Sequence, residues 1–269
     1  MTDKLTEAVH AAMRKTSETA ILPRYRSLST HEIVAKAADD VVTVADHESE
    51  AILAEQLAAL LPDASIVGEE GAHDDPAVLD ALATDLCWII DPLDGTNNFA
   101  AGNPPFGVLV ALADKGETVG GWIHDCLTGR FCHAVPGKGA FVDGERITSH
   151  GSGEEPPVAA ISLIFLNEAE REVLKTHIAP HYRLVDIPRC AAEQYPRLAL
   201  GENDLSVFNR TLPWDHAAGI LFLNEAGGKA ARMDGTAYRV DYYQRPGLIG
   251  ASTPALWEEL AERIAAIPS

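Results

Sequence analysis

Apolar residues recur at helical spacing over about residues 5–22, and Pro23 ends the run. A second helical pattern covers residues 46–61 and stops at Pro62. Ser65-Ile66-Val67 predicts a short strand running into Gly68-Glu69-Glu70-Gly71, with a small helix at about residues 76–83. Residues 86–90, Leu-Cys-Trp-Ile-Ile, form a continuous apolar run, the pattern of a central strand buried on both faces. Residues 106–113, 119–126 and 130–135 alternate as strands do, with turns at Lys115-Gly116 and Thr128-Gly129.

The Gly-, Ser- and Glu-rich stretch 148–157 reads as a hinge between an N-terminal lobe, residues 1–150, and a C-terminal lobe, residues 151–269. Beyond it the pattern predicts strand 158–165, helix 168–178, strand 184–187, helix 191–200 and strand 205–209. Helix 215–226, strand 247–250 and helix 254–267 complete the chain. Strands and helices alternate in both halves, so the expected fold is a layered α/β or α+β sandwich.

A length of 269 residues suits one large domain or two lobes around a shared catalytic unit, and 46% hydrophobic residues exclude a disordered chain. With 21 basic against 40 acidic side chains the net charge is −19. That sign opposes a nucleic-acid or anionic-membrane partner, because a phosphate backbone attracts cations. A small phosphorylated metabolite remains compatible if metal ions supply positive charge locally. The four cysteines contain no CxxC pair, and no apolar run reaches signal-peptide or membrane-span length. The expectation is a cytoplasmic protein.

The segment with most chemistry follows the central strand: Asp91-Pro92-Leu93-Asp94-Gly95-Thr96-Asn97-Asn98-Phe99. Pro92 stiffens the turn, so Asp91 and Asp94 can point to one side beside the Leu93 carbonyl. That all-oxygen set suits Mg²⁺ better than zinc. Gly95 allows close backbone approach, and Thr96 or Asn97 can cap a following helix whose N-terminus would meet a phosphate. Taken singly, three other acidic segments read more plainly. Glu69-Glu70 reads as a solvated loop, Asp215 in Trp214-Asp215-His216-Ala217-Ala218-Gly219 as a helix N-cap, and Asp46 as another cap.

Taken together, the four segments resemble the inositol monophosphatase family. Its signatures read GEE, then WIIDPLDGT with N-F close behind, then WD-x-A-A-G, with D-x-V-T-x-x-D upstream. The resemblance runs over about residues 6–266 and implies a layered α-β-α-β-α sandwich, a homodimer, and Mg²⁺-dependent hydrolysis of a phosphate monoester. It implies that Glu69, Asp91 and the Leu93 carbonyl hold one Mg²⁺, and that Asp91, Asp94 and Asp215 hold a second. A third, looser ion would sit near Glu69, and Mn²⁺ could substitute. The Gly95 and Thr96 N–H groups would meet the phosphate. Glu69 and Thr96 would position the attacking water, with Asp46 orienting the Thr96 hydroxyl.

The substrate residues depart from the family pattern. Animal members carry a glutamate seven residues before the WD aspartate, where this chain has Phe208. Their Gly-Thr-Ala helix opening is Arg189-Cys190-Ala191 here, with Arg210 nearby in sequence. Either Phe208 is a core strand residue and the arginines form surface pairs, or the arginines favour a second anionic group on the substrate. Inositol phosphate, histidinol phosphate, fructose bisphosphate and 3′-phosphoadenosine 5′-phosphate are all candidate substrates. A regulatory interaction protein that retains the fold is the reading from another class. His124, Cys126, Cys132 and His133 invite a zinc site. A two-residue Thr128-Gly129 turn would set His124 opposite His133 and Cys132 opposite Asp125, with the cysteines on opposite faces, so packing is the expectation there.

Overall fold

The computed structural model describes residues 2–37, 40–161 and 166–267. Helix α1 (Asp3–Thr16) is capped by the Thr2 side chain and continues as a π turn (Ser17–Ile21) and a 3-10 turn (Leu22–Arg24). The expected first helix is thus present, but its regular part stops at Thr16. Strands β1 (Ile33–Ala37) and β2 (Asp40–Thr43) form an antiparallel hairpin that the hydrophobic pattern does not predict. Next come α2 (Val44–Leu60), β3 (Ser65–Gly68), α3 (Glu69–Asp74), a 3-10 turn (Pro76–Asp80), α4 (Ala81–Thr84), β4 (Leu86–Asp94) and α5 (Thr96–Ala100). Strands β5 (Gly107–Asp114), β6 (Glu117–Asp125), β7 (Phe131–Val135), β8 (Gly139–Val142) and β9 (Glu145–Ile147) complete the first sheet.

The remaining elements are β10 (Val158–Ile161), α6 (Glu168–His177), β11 (Arg183–Val185), α7 (Ala191–Ala199), β12 (Leu205–Phe208), α8 (Pro213–Glu225), β13 (Lys229–Arg232), β14 (Leu248–Ala251) and α9 (Pro254–Ala265). The expected strand at 158–165 is seen over its first four residues, and 162–165 lie outside the described residues.

Two sheets organise the layers. A seven-stranded sheet has the order β3-β4-β5-β6-β7-β8-β9, and a five-stranded sheet the order β11-β10-β12-β14-β13. Helices α1 and α2 cover one face of the first sheet through Val9, Met13, Leu53 and Leu57, packed with Trp88, Val110 and Trp122. Helices α7 and α8 fill the space between the sheets, and α9 covers the outer face of the second through Trp257 and Leu260. The result is the expected α-β-α-β-α sandwich. Helix α8 can lie close to the first sheet where its Ala217-Ala218-Gly219 stretch faces β6. A Cβ on Gly121 of β6 would stand 2.9 Å from the Ala218 backbone, so only glycine fits there.

The 148–157 stretch has no helix or strand and is tied down by buried Asp204. Its carboxylate accepts from Ser152 N at 2.7 Å, from the Ser152 hydroxyl, and from Val158 N at 2.7 Å. In the β6–β7 hairpin, His124 pairs with Phe131, Ile123 with Cys132, and Trp122 with His133. The expected two-residue turn is wrong: residues 126–130 form a wider loop, closed by Asp125 accepting from Leu127 N and Thr128 N. The four thiols are buried and free, and among the described residues no group of three His, Cys, Asp or Glu forms a metal site here. No helix among the described residues is long and apolar enough to cross a membrane.

Candidate active site

Strand β4 delivers the central motif. Its residues are buried from Cys87 to Leu93, and the pairing with β5 slips between Asp91 and Asp94: Asp91 lies opposite Leu109 but Asp94 opposite Gly107. Three residues advance on β4 against two on β5, a bulge that re-aims the strand end. Gly95 then takes φ +84° as the N-cap of α5, and a Cβ there would meet the Pro105 carbonyl at 2.9 Å. Both conformation and space demand glycine. No side chain caps α5. The Thr96 hydroxyl, expected as a cap, instead stands 2.8 Å from the Leu93 carbonyl and 3.0 Å from Asp46 Oδ1.

Asp46 is not the cap of α2 either. Thr43 is the cap, and Asp46 closes a capping box as the third helical residue, accepting from Thr43 N at 2.8 Å and Thr43 Oγ1 at 2.6 Å. Burial pushes its carboxyl up to about 6, against the pull of these donors.

Asp94 Oδ2 accepts from Ala192 N at 2.6 Å and Cys190 Sγ at 3.1 Å, so the start of α7 is pinned to the motif. Burial, then the nearby Asp215 charge, pushes Asp94 up to about 7 despite the Ala192 bond. Asp91 is 2% exposed, and its carboxyl lies well above the usual range. Burial is the main cause, followed by the charges of Glu69, Asp94, Asp215 and Asp46. These five carboxylates therefore share one electrostatic neighbourhood.

Glu69 does not lie in a solvated loop. It opens α3, and Glu70 beside it is 3% exposed. The helix start is held by Glu50 of α2, whose carboxylate accepts from Glu70 N and Gly71 N at 2.8 Å each. Asp215 also differs from expectation. Leu212 is the N-cap of α8, and Asp215 is the third helical residue, with Arg210 Nη2 3.8 Å from its Oδ2.

Sequence reasoning missed Glu50, and it quoted Cys190 and Asn98 within their motifs without giving either a role. Glu50 lies four residues after Asp46, on the same face of α2, a spacing that puts two acids together and could have flagged it. Asn98 Nδ2 donates to the Pro105 carbonyl at 2.8 Å and the Pro188 carbonyl at 2.9 Å, tying α5 to the segment before Cys190. Arg189 is exposed, with φ +54°, and Ala191 is the first residue of α7. Phe208 stacks on Tyr195 with centroids 5.4 Å apart and meets His216 edge-on at 4.9 Å, in partly buried strand β12.

The donors that converge on this strand end are carboxylate and carbonyl oxygens, a hard set suited to Mg²⁺ or Mn²⁺. Among the described residues no three side chains already close into a metal cage. The fit rests instead on donor chemistry and on charge: clustered acids that raise one another's pKa are the surroundings a divalent cation neutralises.

A family model described as the inositol monophosphatase family matches residues 1–269. The chain belongs to the inositol monophosphatase family. It is thereby a phosphoric monoester hydrolase. The chloroplastic phosphatase IMPL1 of Arabidopsis thaliana is 32% identical over 245 residues, which cover 87% of this chain and 63% of the plant protein. A fructose-1,6-bisphosphatase/inositol-1-monophosphatase of Thermotoga maritima is 30% identical over 235 residues, 84% of this chain and 85% of that one. The crystal structure of extragenic suppressor protein SuhB from Bartonella henselae has a TM-score of 0.82 at 24% identity. It covers 98% of this chain and 99% of that chain, and shares the fold.

Proposed function

We propose that this family member hydrolyses a small-molecule phosphate monoester in a Mg²⁺-dependent reaction. The observation that carries the reading is buried Asp91, raised by Glu69, Asp94 and Asp215 around it, at a strand end that runs into Gly95 and Thr96. In this reading Glu69, Asp91 and the Leu93 carbonyl hold one ion and Asp91, Asp94 and Asp215 a second, with Mn²⁺ an acceptable substitute and a looser third ion near Glu69. Bound there, the ions supply charge for the attacking and leaving oxygens of an in-line displacement. The Gly95 and Thr96 N–H groups orient the phosphate. Glu69 accepts a proton from water, and Asp46 accepts a hydrogen bond from the Thr96 hydroxyl, turning the Thr96 oxygen lone pairs toward that water. The two lobes, 1–150 and 151–269, contribute Glu69, Asp91 and Asp94 on one side and Asp215 on the other. A cytoplasmic homodimer belongs to the same proposal.

The substrate we propose is more anionic than myo-inositol 1-phosphate. Phe208 offers no acceptor for a sugar hydroxyl, Arg210 stands 3.8 Å from Asp215, and exposed Arg189 directly precedes Cys190, whose thiol meets Asp94, which supports a role for both guanidinium groups. Phosphate release with and without Mg²⁺ and EDTA, across inositol phosphate, histidinol phosphate, fructose 1,6-bisphosphate and the adenosine bisphosphate, tests both levels. Turnover that survives thorough chelation overturns the metal assignment. A kcat/KM preference for inositol 1-phosphate that Arg189→Ala leaves unchanged overturns the substrate assignment. A purely regulatory role predicts no turnover on any of them, and the complete carboxylate set argues against it.

A further inference from the structure

A cavity of about 680 Å³ opens between the β5–β6 turn, the later turns of α8 and the segment 232–245. Its outer edge is remote from Asp94, while its Arg232 and Tyr238 side bonds to Thr211, four residues before Asp215. Strand β5 runs from Gly107, opposite Asp94, to Asp114 beside this cavity, about 24 Å at ~3.4 Å per residue. The volume falls in the range of small-molecule sites. Ile220, Leu221 and Tyr238 supply an apolar wall, and Arg232, Arg239 and Arg245 border it with one acid, Glu117, which lies 3.5 Å from Arg239.

Arg232 is the anomaly. It is 2% exposed, yet its guanidinium meets only neutral partners: Nη1 donates to Thr211 Oγ1 at 2.8 Å and to the Arg245 carbonyl, and Nη2 to the Tyr242 carbonyl at 2.9 Å. The Tyr238 ring lies 4.8 Å away. Among the described residues no carboxylate forms an ion pair with it. Asp234 is held by Arg245 at 2.6 Å, and Asp241 is clasped by two Arg239 nitrogens at 2.9 Å. Buried cations are ordinarily paired with a counter-charge.

We propose that this cavity binds a small organic anion, one carboxylate or phosphoryl-type group on an aromatic or alicyclic body, with the anionic group meeting Arg232. The apolar wall takes the body, and the missing counter-charge is the ligand's. The occupant rests on α8 near Leu221, six residues after Asp215 on the same helix, so the site is an effector site rather than a second catalytic centre.

The test uses 8-anilinonaphthalene-1-sulfonate, a sulfonate on aromatic rings, with the full chain in saturating Mg²⁺ and inorganic phosphate to occupy the catalytic centre. One saturable, fluorescence-enhancing site per chain is expected. Ala237→Trp adds an indole to an exposed position bordering the cavity and should weaken binding at least ~10-fold while leaving phosphate release unchanged. Arg232→Gln should weaken it at least as much. Undiminished binding by Ala237→Trp, by Arg232→Gln that unfolds as cooperatively as the parent, or no saturable site in the parent, overturns the proposal.

Discussion

The Thr96 hydroxyl has one proton and two acceptors within 3.0 Å, Asp46 Oδ1 and the Leu93 carbonyl. Asp46 has already filled Oδ2 with both Thr43 donors, so Oδ1 is the oxygen left for Thr96. Donation to Asp46 keeps the Leu93 carbonyl lone pairs available for a cation. Thr96→Ala removes this relay and should lower kcat by roughly 10²–10⁴ while Mg²⁺ affinity stays near that of the parent. Thr96→Ser should recover most of the rate, and steady-state kinetics with a Mg²⁺ titration distinguish the two. Asp91→Asn makes the opposite trade. It should abolish more than about 10³ of kcat/KM, because Asp91 is the proposed shared ligand. In chelator at neutral pH, however, it should raise resistance to urea, since it removes the cost of burying an acid whose ionisation four other carboxylates oppose. Equal or lower stability of Asp91→Asn in EDTA would remove the repulsion argument.

At the scale of elements, what was legible depended on how far the determining contact lay along the chain. Strand β4 and its Asp-Pro-Leu-Asp-Gly-Thr exit were legible because burial on both faces and a positive-φ glycine leave local marks. Helix α3 was not, because Gly68-Glu69-Glu70-Gly71 becomes helical only when Glu50, about twenty residues earlier, satisfies its first N–H groups. The position of Asp215 was misjudged by three residues because Pro213 is a good first helical residue, and the cap at Leu212 contributes no side-chain bond. The β6–β7 register failed for a similar reason: Asp125 folds back on Leu127 and Thr128 and widens the loop. Helix α8 connects these scales, since it carries Asp215 and crosses β6 at Gly121. Gly121→Val pushes a branched side chain into the Ala218 backbone and should cost about 3 kcal/mol or more in urea unfolding. It should also depress activity without touching a proposed ligand. A shift below ~1 kcal/mol would mean that the helix can simply move away.

For the whole molecule, acid stability depends on opposed sets of buried groups. His216 is 3% exposed; the Arg210 carbonyl takes its Nε2–H at 3.0 Å, so Nδ1 accepts from the Tyr195 hydroxyl at 2.7 Å. Burial, aided by the Arg210 and Arg232 charges, holds this imidazole down to about 3, and burial holds His124 down to about 4. The unfolded chain binds protons at both below about pH 6.5 while the folded chain does not. These two groups therefore make stability rise with pH between about 4 and 6.5, by up to ~1.4 kcal/mol per pH unit each. The buried carboxylates act the other way. Asp46 at about 6 and Asp94 at about 7, with Asp91 also raised, keep protons in the folded state that the unfolded chain has released. Their contribution falls as pH rises from about 4 to 7. In EDTA three raised acids outweigh two depressed histidines, so stability should show no gain and a modest fall, by roughly 1–3 kcal/mol, between about pH 5 and 7. Saturating Mg²⁺ would hold Asp91 and Asp94 ionised and remove most of the opposing set. It would also add its own binding energy, which proton competition erodes at low pH. With Mg²⁺ present, stability should therefore fall steeply below about pH 6.5, by ~2 kcal/mol or more over one unit. The decisive measurement is the pH slope of the urea midpoint with and without Mg²⁺. Equal slopes under the two conditions would mean that the clustered acids do not titrate as a cation site.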